Sequence, residues 1–446
     1  MTQKIHIIGG GLVGPLMAVY LARKGFAVEM HERRPDMRRT DIPTGRSINL
    51  AVTARGLRAL EEVGLKADVL KIAIPMKGRM IHDVEGKTSF LPYGQKDNEV
   101  IYAASRGLLN KVLLEAADAC DNVHLVFDSC CTAYESDAST LVFENNQKIK
   151  ADVVIAADGA WSAVRKGMAE KIKNFNYSQS FLEYGYKELE IPPDAAGGFR
   201  MEKNALHIWP RKSHMMIALP NTDGSFTMTL FYPYEGFSAL KTESDVLDFF
   251  RRDFPDAAAM MPSLAADFFG NPTSALATIK CSPWHSGGRA VLMGDAAHAI
   301  VPFFAQGMNS GFEDCAVLDS LITSSNPDWE AVFSAFGRLR KQNTDAIADM
   351  AVENFLEMRD SVATPKFALK KQVGFALEKR WPEKFIPRYS MVIFHPEIPY
   401  AEARARSDIQ DRILDELCAT IDSPDQLDWT TAERLIMCGS ATQSSS

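Results

Sequence analysis

The chain has 446 residues, with 49 Lys and Arg against 57 Asp and Glu for a formal charge of -8; 46% of it is hydrophobic and 24% charged. Those proportions fit a soluble globular protein and exclude a largely disordered chain, and the surplus of acid speaks against nucleic acid, whose binders rely on Lys and Arg. The 7 cysteines are odd in number, irregularly spaced and without a Cys-x-x-Cys, and no two of the 9 histidines form a His-x-x-x-His pair. That pattern points to a reducing compartment, with no disulfide framework and no metal ligands.

Ile5 to Ala22 is apolar enough to resemble a leader or a membrane span, but Gly9, Gly10, Gly11, Gly14 and Pro15 interrupt it. The spacing instead predicts a buried strand at Ile5–Ile8, a tight turn at Gly9–Gly14, a helix over Leu16–Arg23 that stops at Gly25, and a second strand over Phe26–Glu32. In that context Gly9-x-Gly11-x-x-Gly14 is a dinucleotide fingerprint. Gly9 permits the turn, Gly11 admits a pyrophosphate, and Gly14 lets helix and strand pack closely. The helix N-terminus offers free N–H groups to phosphate. Glu32, roughly 20 residues on, suits a free ribose and would repel a 2′-phosphate, so FAD and NAD both fit this site and NADP does not.

Ala151–Ala157 reads as another buried strand, ending in Asp158-Gly159 and followed by Ser162 and Arg165. Leu206–Pro210, His214–Pro220 and Ser225–Tyr232 read as strands of an antiparallel sheet, the last two joined by a hairpin turn at Asn221–Gly224, with Met215, Met216 and Met228 as core. Arg289–Met293 is a further strand running into Gly294-Asp295. After it, Gln306-Gly307-Met308-Asn309 opens a helix whose Phe312, Cys315, Leu318 and Ile322 share one side. That helix start would stabilise negative charge on a reduced flavin. From about residue 327 the chain reads as mostly helical. Phe367–Trp381 is basic and amphipathic, which fits either a membrane surface or a helix packed over a pocket with its cations solvated; the packed reading is preferred because no apolar span follows. Ser440–Ser446 reads as a disordered tail.

In this order, the glycine fingerprint with Glu32, then Asp158-Gly159, then Gly294-Asp295 resembles the single-component FAD-dependent aromatic hydroxylases. The chain lacks a second Gly-x-Gly-x-x-Gly, which argues against reductases with a separate nicotinamide domain. Four segments extend the resemblance to the kynurenine 3-monooxygenase branch: Gly45–Ala51, Gly78–His82, Val301–Asp314 and Glu353–Arg359. The resemblance implies the para-hydroxybenzoate hydroxylase fold: an α/β, Rossmann-like FAD-binding domain interleaved with an antiparallel-sheet substrate domain, plus C-terminal helices. The boundaries it suggests are 1–75, 100–175 and 275–325 for FAD, 76–99 and 176–274 for substrate, 326–439 for the helices and 440–446 for the tail. Cofactor-binding roles fall on Gly9, Gly11, Leu12, Val13, Gly14, Glu32, Arg33, Arg106, Asp158, Gly159, Asp295, Gln306, Gly307, Met308 and Asn309. Substrate-binding roles fall on Arg79, Tyr93, Asn354, Tyr389 and Gln306.

The implied reaction is hydroxylation of L-kynurenine to 3-hydroxykynurenine, a step of tryptophan catabolism toward NAD, with tightly bound FAD, NADPH as co-substrate, O₂, and a flavin C4a-hydroperoxide in place of a protein catalyst. An arginine fork for a carboxylate, tyrosine hydroxyls and an asparagine suit an amino-acid substrate. The alternatives are a hydroxylase of a phenolic acid and a non-catalytic flavin redox sensor. The expected setting is cytoplasmic, without nucleic acid or a membrane anchor, as monomer or homodimer. The sequence departs from the family at Ala305, where glycine is usual, and at Ser310, where alanine is usual.

Overall fold

A computed structural model describes residues 3–39, 49–361 and 364–443. Residues 45–48 of the Gly45–Ala51 segment and 444–446 of the expected tail lie outside the described residues. The chain divides into two compact units, one of Met1–Ile74, Tyr102–Leu182 and Ala275–Ala351, the other of Pro75–Ile101, Glu183–Ser274 and Val352–Ser446.

The first unit is built on a six-stranded sheet in the order His285–Ser286, Ala290–Leu292, Val153–Ala156, Lys4–Ile8, Ala27–His31, Val123–Val126. All pairs are parallel except the first. Ile5, Ile7, Val153, Val154, Ile155, Val291 and Leu292 are buried, the continuous apolar pattern of strands covered on both faces. Each motif therefore lies at the carboxyl end of a strand, the edge where α/β sheets bind ligands. Helices Val13–Arg23, Arg106–Asp118 and Gly307–Leu321 bury Leu16, Leu113, Phe312, Cys315 and Leu318 in the same core.

The second unit carries Asn176–Ile191 (from Glu183 on), Phe226–Pro233, Met215–Pro220, Ala205–Pro210, Gly78–His82 and Thr88–Pro92, in that sheet order. The sheet is antiparallel except where Gly78–His82 pairs in parallel with Ala205–Pro210. Asn221 and Gly224 close the expected hairpin, with Asn221 N donating to Ser225 O at 2.8 Å and Gly224 at φ +89°. Leu189, Trp209, Met216 and Met228 pack against Phe249, Phe250 and Phe254 beside helix Glu243–Asp253, whose start Thr242 and Asp245 cap reciprocally.

Helix Trp329–Leu356 starts in the first unit, burying Trp329, Phe333 and Phe336 in its core, and ends in the second. The amphipathic helix Pro365–Arg380 turns Leu369, Val373 and Leu377 into a cluster with Phe385, Ile413 and Ile436, so its apolar stripe is covered by protein. The last helix runs on to Gln443, into the segment expected to be a disordered tail; Asp428 accepts from Thr430 N and Thr431 N at its start, and Ala432 and Ile436 anchor it.

Candidate active site

In the first unit the glycine turn is shaped by contacts that exclude side chains. Gly9 sits at φ +108°, and a Cβ there would lie 2.3 Å from Ala157 O; a Cβ on Gly14 would lie 1.9 Å from Gly9 O. A Cβ on Gly11 would meet nothing within 4 Å. Two glycines are thus demanded by the fold, and the third leaves open space where phosphate must approach. Leu12 caps helix Val13–Arg23 and Val13 begins it, so their N–H groups belong to the unbonded first turn. Glu32 is buried; its Oε2 accepts from Gly10 N at 2.7 Å and its Oε1 from Arg34 N and Nε at 3.0 and 2.7 Å. Burial raises its carboxyl, but those donors outweigh it and hold the group below the usual range. Arg33 is exposed beside it.

Arg106 is the first residue of helix Arg106–Asp118 and is exposed. One turn on, the buried Asn110 donates from Nδ2 to Gly10 O at 3.1 Å and Gly11 O at 2.7 Å, tying the fingerprint to this helix. At the end of its strand, Asp158 accepts Ala163 N at 2.8 Å on Oδ2, while its buried Oδ1 has no partner and burial pushes the carboxyl up. Gly159 follows at φ +81°. Ser162 caps the next helix by accepting Arg165 N, and Arg165 donates to Ala296 O at 2.7 Å, so the second motif braces the third.

Asp295 is exposed at the start of the short helix Asp295–His298. Behind it the fully buried Asp314 accepts Gly294 N at 2.9 Å, lies 2.6 Å from His298 Nε2, and accepts Arg340 Nε at 2.7 Å. Burial raises the Asp314 carboxyl, but His298 and Arg340 outweigh it and hold it ionised. Gln306 is fully buried and caps helix Gly307–Leu321. Gly307 and Met308 open that helix half-buried. Asn309 is committed elsewhere: its Nδ2 donates to Ala51 O and Ala305 O, and its Oδ1 accepts Thr53 N. Ala305 itself stands at φ +54°, the left-handed region where glycine is at ease, which gives its departure from the family a physical meaning.

This donor set suits a dinucleotide carrying a flavin: an open glycine approach, two helix N-termini, an orphaned buried carboxylate oxygen and an exposed aspartate.

In the second unit Arg79 projects from strand Gly78–His82 and is 4% exposed. Its guanidinium carbon lies 4.9 Å from the Tyr389 ring centre and 5.9 Å from that of Tyr93, and the two rings stack 5.1 Å apart at 8°. Arg79 Nε and Tyr93 OH are buried without hydrogen-bond partners. Burial opposes the charge on Arg79, but the tyrosines and Glu357, 3.9 Å from Nη1, outweigh it. Burial pushes both phenols up, Tyr389 to about 12, so both remain donors. Asn354 is buried in the last turn of Trp329–Leu356, one turn before Glu357, and its Nδ2 lies 3.4 Å from Met358 Sδ. A π-helical stretch, Glu357–Ser361, follows at once, a distortion frequent at functional sites.

Residues 2–325 match the FAD binding domain family. Over 440 residues the chain is 48% identical to the kynurenine 3-monooxygenase of Myxococcus xanthus, spanning 97% of this chain and 94% of that one. It is 44% identical over 454 residues to that of Dictyostelium discoideum, with 98% of each covered. The chain belongs to the kynurenine 3-monooxygenase family. Among solved structures it resembles 2-methyl-3-hydroxypyridine-5-carboxylic acid oxygenase in its tetrameric form, with TM-score 0.68 and 21% identity over 84% of this chain and 98% of that one. At that identity the likeness speaks for the fold alone.

Within this member of the kynurenine 3-monooxygenase family the structure brings Arg79, Tyr93 and Tyr389 together, and places Asn354 on the helix that delivers Glu357 to Arg79. Sequence reading passed over Glu357 and Lys371. Lys371 was expected to be a solvated cation of the amphipathic helix; instead burial, with Arg79 adding and Glu357 opposing, pulls its ammonium down to about 7. It also passed over Asn110, Asp314, His298 and Arg340. Asn110 carried one available signal, an asparagine inside an otherwise apolar helical stretch. Among the described residues no helix is long and apolar enough to cross a membrane.

Proposed function

We propose that this chain hydroxylates L-kynurenine to 3-hydroxykynurenine, using FAD, NADPH and O₂. The observation that carries the reading is the buried Arg79 guanidinium held against two stacked tyrosines, with Arg79 Nε and Tyr93 OH lacking partners inside the protein. A buried donor without a partner costs roughly 1–3 kcal/mol, so such a cluster is sustained by a ligand that satisfies it. A carboxylate fits: Arg79 supplies the charge, the phenols supply donors, and Asn354 offers both a donor and an acceptor to an amino-acid head.

The residues of the first unit would hold FAD. Gly9, Gly11 and Gly14, with the N–H groups of Leu12 and Val13, receive the pyrophosphate. Glu32, with Arg33 beside it, faces the ribose. Arg106, Asp158, Gly159 and Asp295 would contact the remainder, with Asp295 the candidate for the ribityl hydroxyls. The N-terminus at Gln306, Gly307, Met308 and Asn309 would receive the flavin ring; Asn309 would contribute through its backbone because its side chain is bonded elsewhere. When bound, FAD reduced by NADPH supplies the activation of O₂. The protein orients an already electron-rich aniline ring and excludes water.

We place the enzyme in the cytoplasm as a soluble monomer or homodimer, a reading supported by the odd number and irregular spacing of its cysteines. Purified protein should be yellow, should oxidise NADPH faster when kynurenine is added, and should yield a product one oxygen atom heavier. A phenolic-acid hydroxylase would instead respond to salicylate-like compounds, and a redox sensor to neither.

A further inference from the structure

The parallel sheet of the first unit carries a second polar cluster that the flavin does not use. His6, Glu29 and His124 are exact neighbours across three strands, His6 paired with Glu29 and Glu29 with His124. Side chains in register on parallel strands point to one face, and His31, two residues beyond Glu29, points to the same one. His6 and His31 are 4% and 3% exposed, and their Nδ1 and Nε2 atoms respectively are buried without a hydrogen-bond partner. Both atoms face one oxygen: Glu29 Oε1 lies 3.7 Å from His6 Nδ1 and 3.2 Å from His31 Nε2. The three ligand atoms lie within 4.8 Å of one another.

We propose that His6, Glu29 and His31 bind a zinc-type divalent cation, with His124 or water as the fourth ligand. Zn²⁺ bonds of about 2.0–2.1 Å to N and O place tetrahedral ligands roughly 3.4 Å apart, and the two measured spacings bracket that value. The surrounding groups are arranged as supports for a metal site. His31 Nδ1 lies 3.0 Å from Ser129 Oγ, and in the tautomer whose Nδ1–H donates to that hydroxyl the Nε2 lone pair faces Glu29. Lys4 Nζ holds the other Glu29 oxygen at 3.0 Å, which turns Oε1 toward the imidazoles. His124 Nδ1 is 3.8 Å from Glu29 Oε2 and its side chain is solvent-exposed, giving the ion a way in. The charges around the site are the Lys4 ammonium, which weakens binding, and the Glu29 and Asp152 carboxylates, which favour it.

The cluster adjoins the dinucleotide turn, because His31 O accepts Gly9 N at 2.8 Å. A bound ion would clamp the two strands from which that turn hangs. The test is calorimetric titration of untagged, FAD-loaded, chelator-treated protein with Zn²⁺, followed by X-ray absorption at the zinc edge. We expect one ion per chain, a shell of N and O only with imidazole scattering, and a loss of at least about tenfold in affinity in Glu29→Gln, the lower end of what losing even an outer-shell partner costs. His124→Ala, at an exposed position, should lose less. No saturable binding below about 1 mM, a shell containing sulfur, or undiminished binding in Glu29→Gln would overturn the assignment.

Discussion

Replacing Arg79 by methionine removes the buried cation held against the stacked tyrosines while nearly preserving its volume. Without substrate the change leaves Glu357, 3.9 Å from the lost Nη1, without that partner; some loss of apoprotein stability is expected, limited because burial already pushes the Glu357 carboxyl up and it can take a proton. With substrate, the carboxylate would enter a pocket where its partner is gone. Truncating one member of a buried, hydrogen-bonded charge pair costs about 2–5 kcal/mol, which corresponds to a loss of roughly 30-fold to several thousand-fold in affinity. Arg79→Lys separates charge from geometry: it keeps the cation but loses the planar fork, and should fall between wild type and methionine. The assay is kynurenine titration monitored by calorimetry, with flavin content read from visible absorbance on the same samples. FAD should remain at wild-type stoichiometry, because the residues proposed to hold it lie elsewhere in the chain. Unchanged kynurenine affinity in Arg79→Met would refute the reasoning.

Gly11→Ala should leave the thermal stability of the apoprotein unchanged, since its Cβ meets nothing, yet weaken FAD binding at least about tenfold by filling the phosphate approach; Gly14→Ala should instead destabilise the fold. Ala305→Gly relieves a left-handed alanine worth about 1–2 kcal/mol and forfeits about 0.5–1 kcal/mol of chain entropy, so a net gain near 0.5–1 kcal/mol should appear in urea unfolding. Burial holds His31, His207 and His214 near 4 in the folded chain, against about 6.5 unfolded. The unfolded state therefore gains protons first. Stability should be fully present above pH 6.5 and fall as pH drops from there through 4, so a urea midpoint that stays flat across that window in chelator would contradict it. Lys371, titrating near 7 beside Arg79, should make kynurenine binding weaken as pH rises through neutrality, and Lys371→Met should flatten that profile.

The ligand-binding edge of the first unit was legible because its chemistry is local. Gly9 and Gly159 take positive φ at the ends of strands that their own apolar runs declare, and Gly14 packs against Gly9 O within the same turn. Tyr389 lies about three hundred positions from Arg79 and Tyr93, and only the family resemblance linked them; their stacking was not readable from any one segment. Glu357 and Lys371 were missed because a charged residue on an amphipathic helix looks solvated until the facing element is known. The His6, Glu29 and His31 cluster is invisible to a search for His-x-x-x-His spacing, because its members meet through strand register, a relation between segments rather than within one. Asp314 looked like one acid in a helix, and its hold on Gly294 depends on His298 and Arg340 arriving from either side.

Kynurenine-dependent NADPH oxidation by the FAD-loaded protein, with the product identified by mass and by the position of its new hydroxyl, tests the central claim most directly. The account predicts 3-hydroxykynurenine, formed only when FAD, NADPH and O₂ are all supplied. A colourless protein that cannot take up FAD, or a yellow one that leaves kynurenine unchanged, would contradict it.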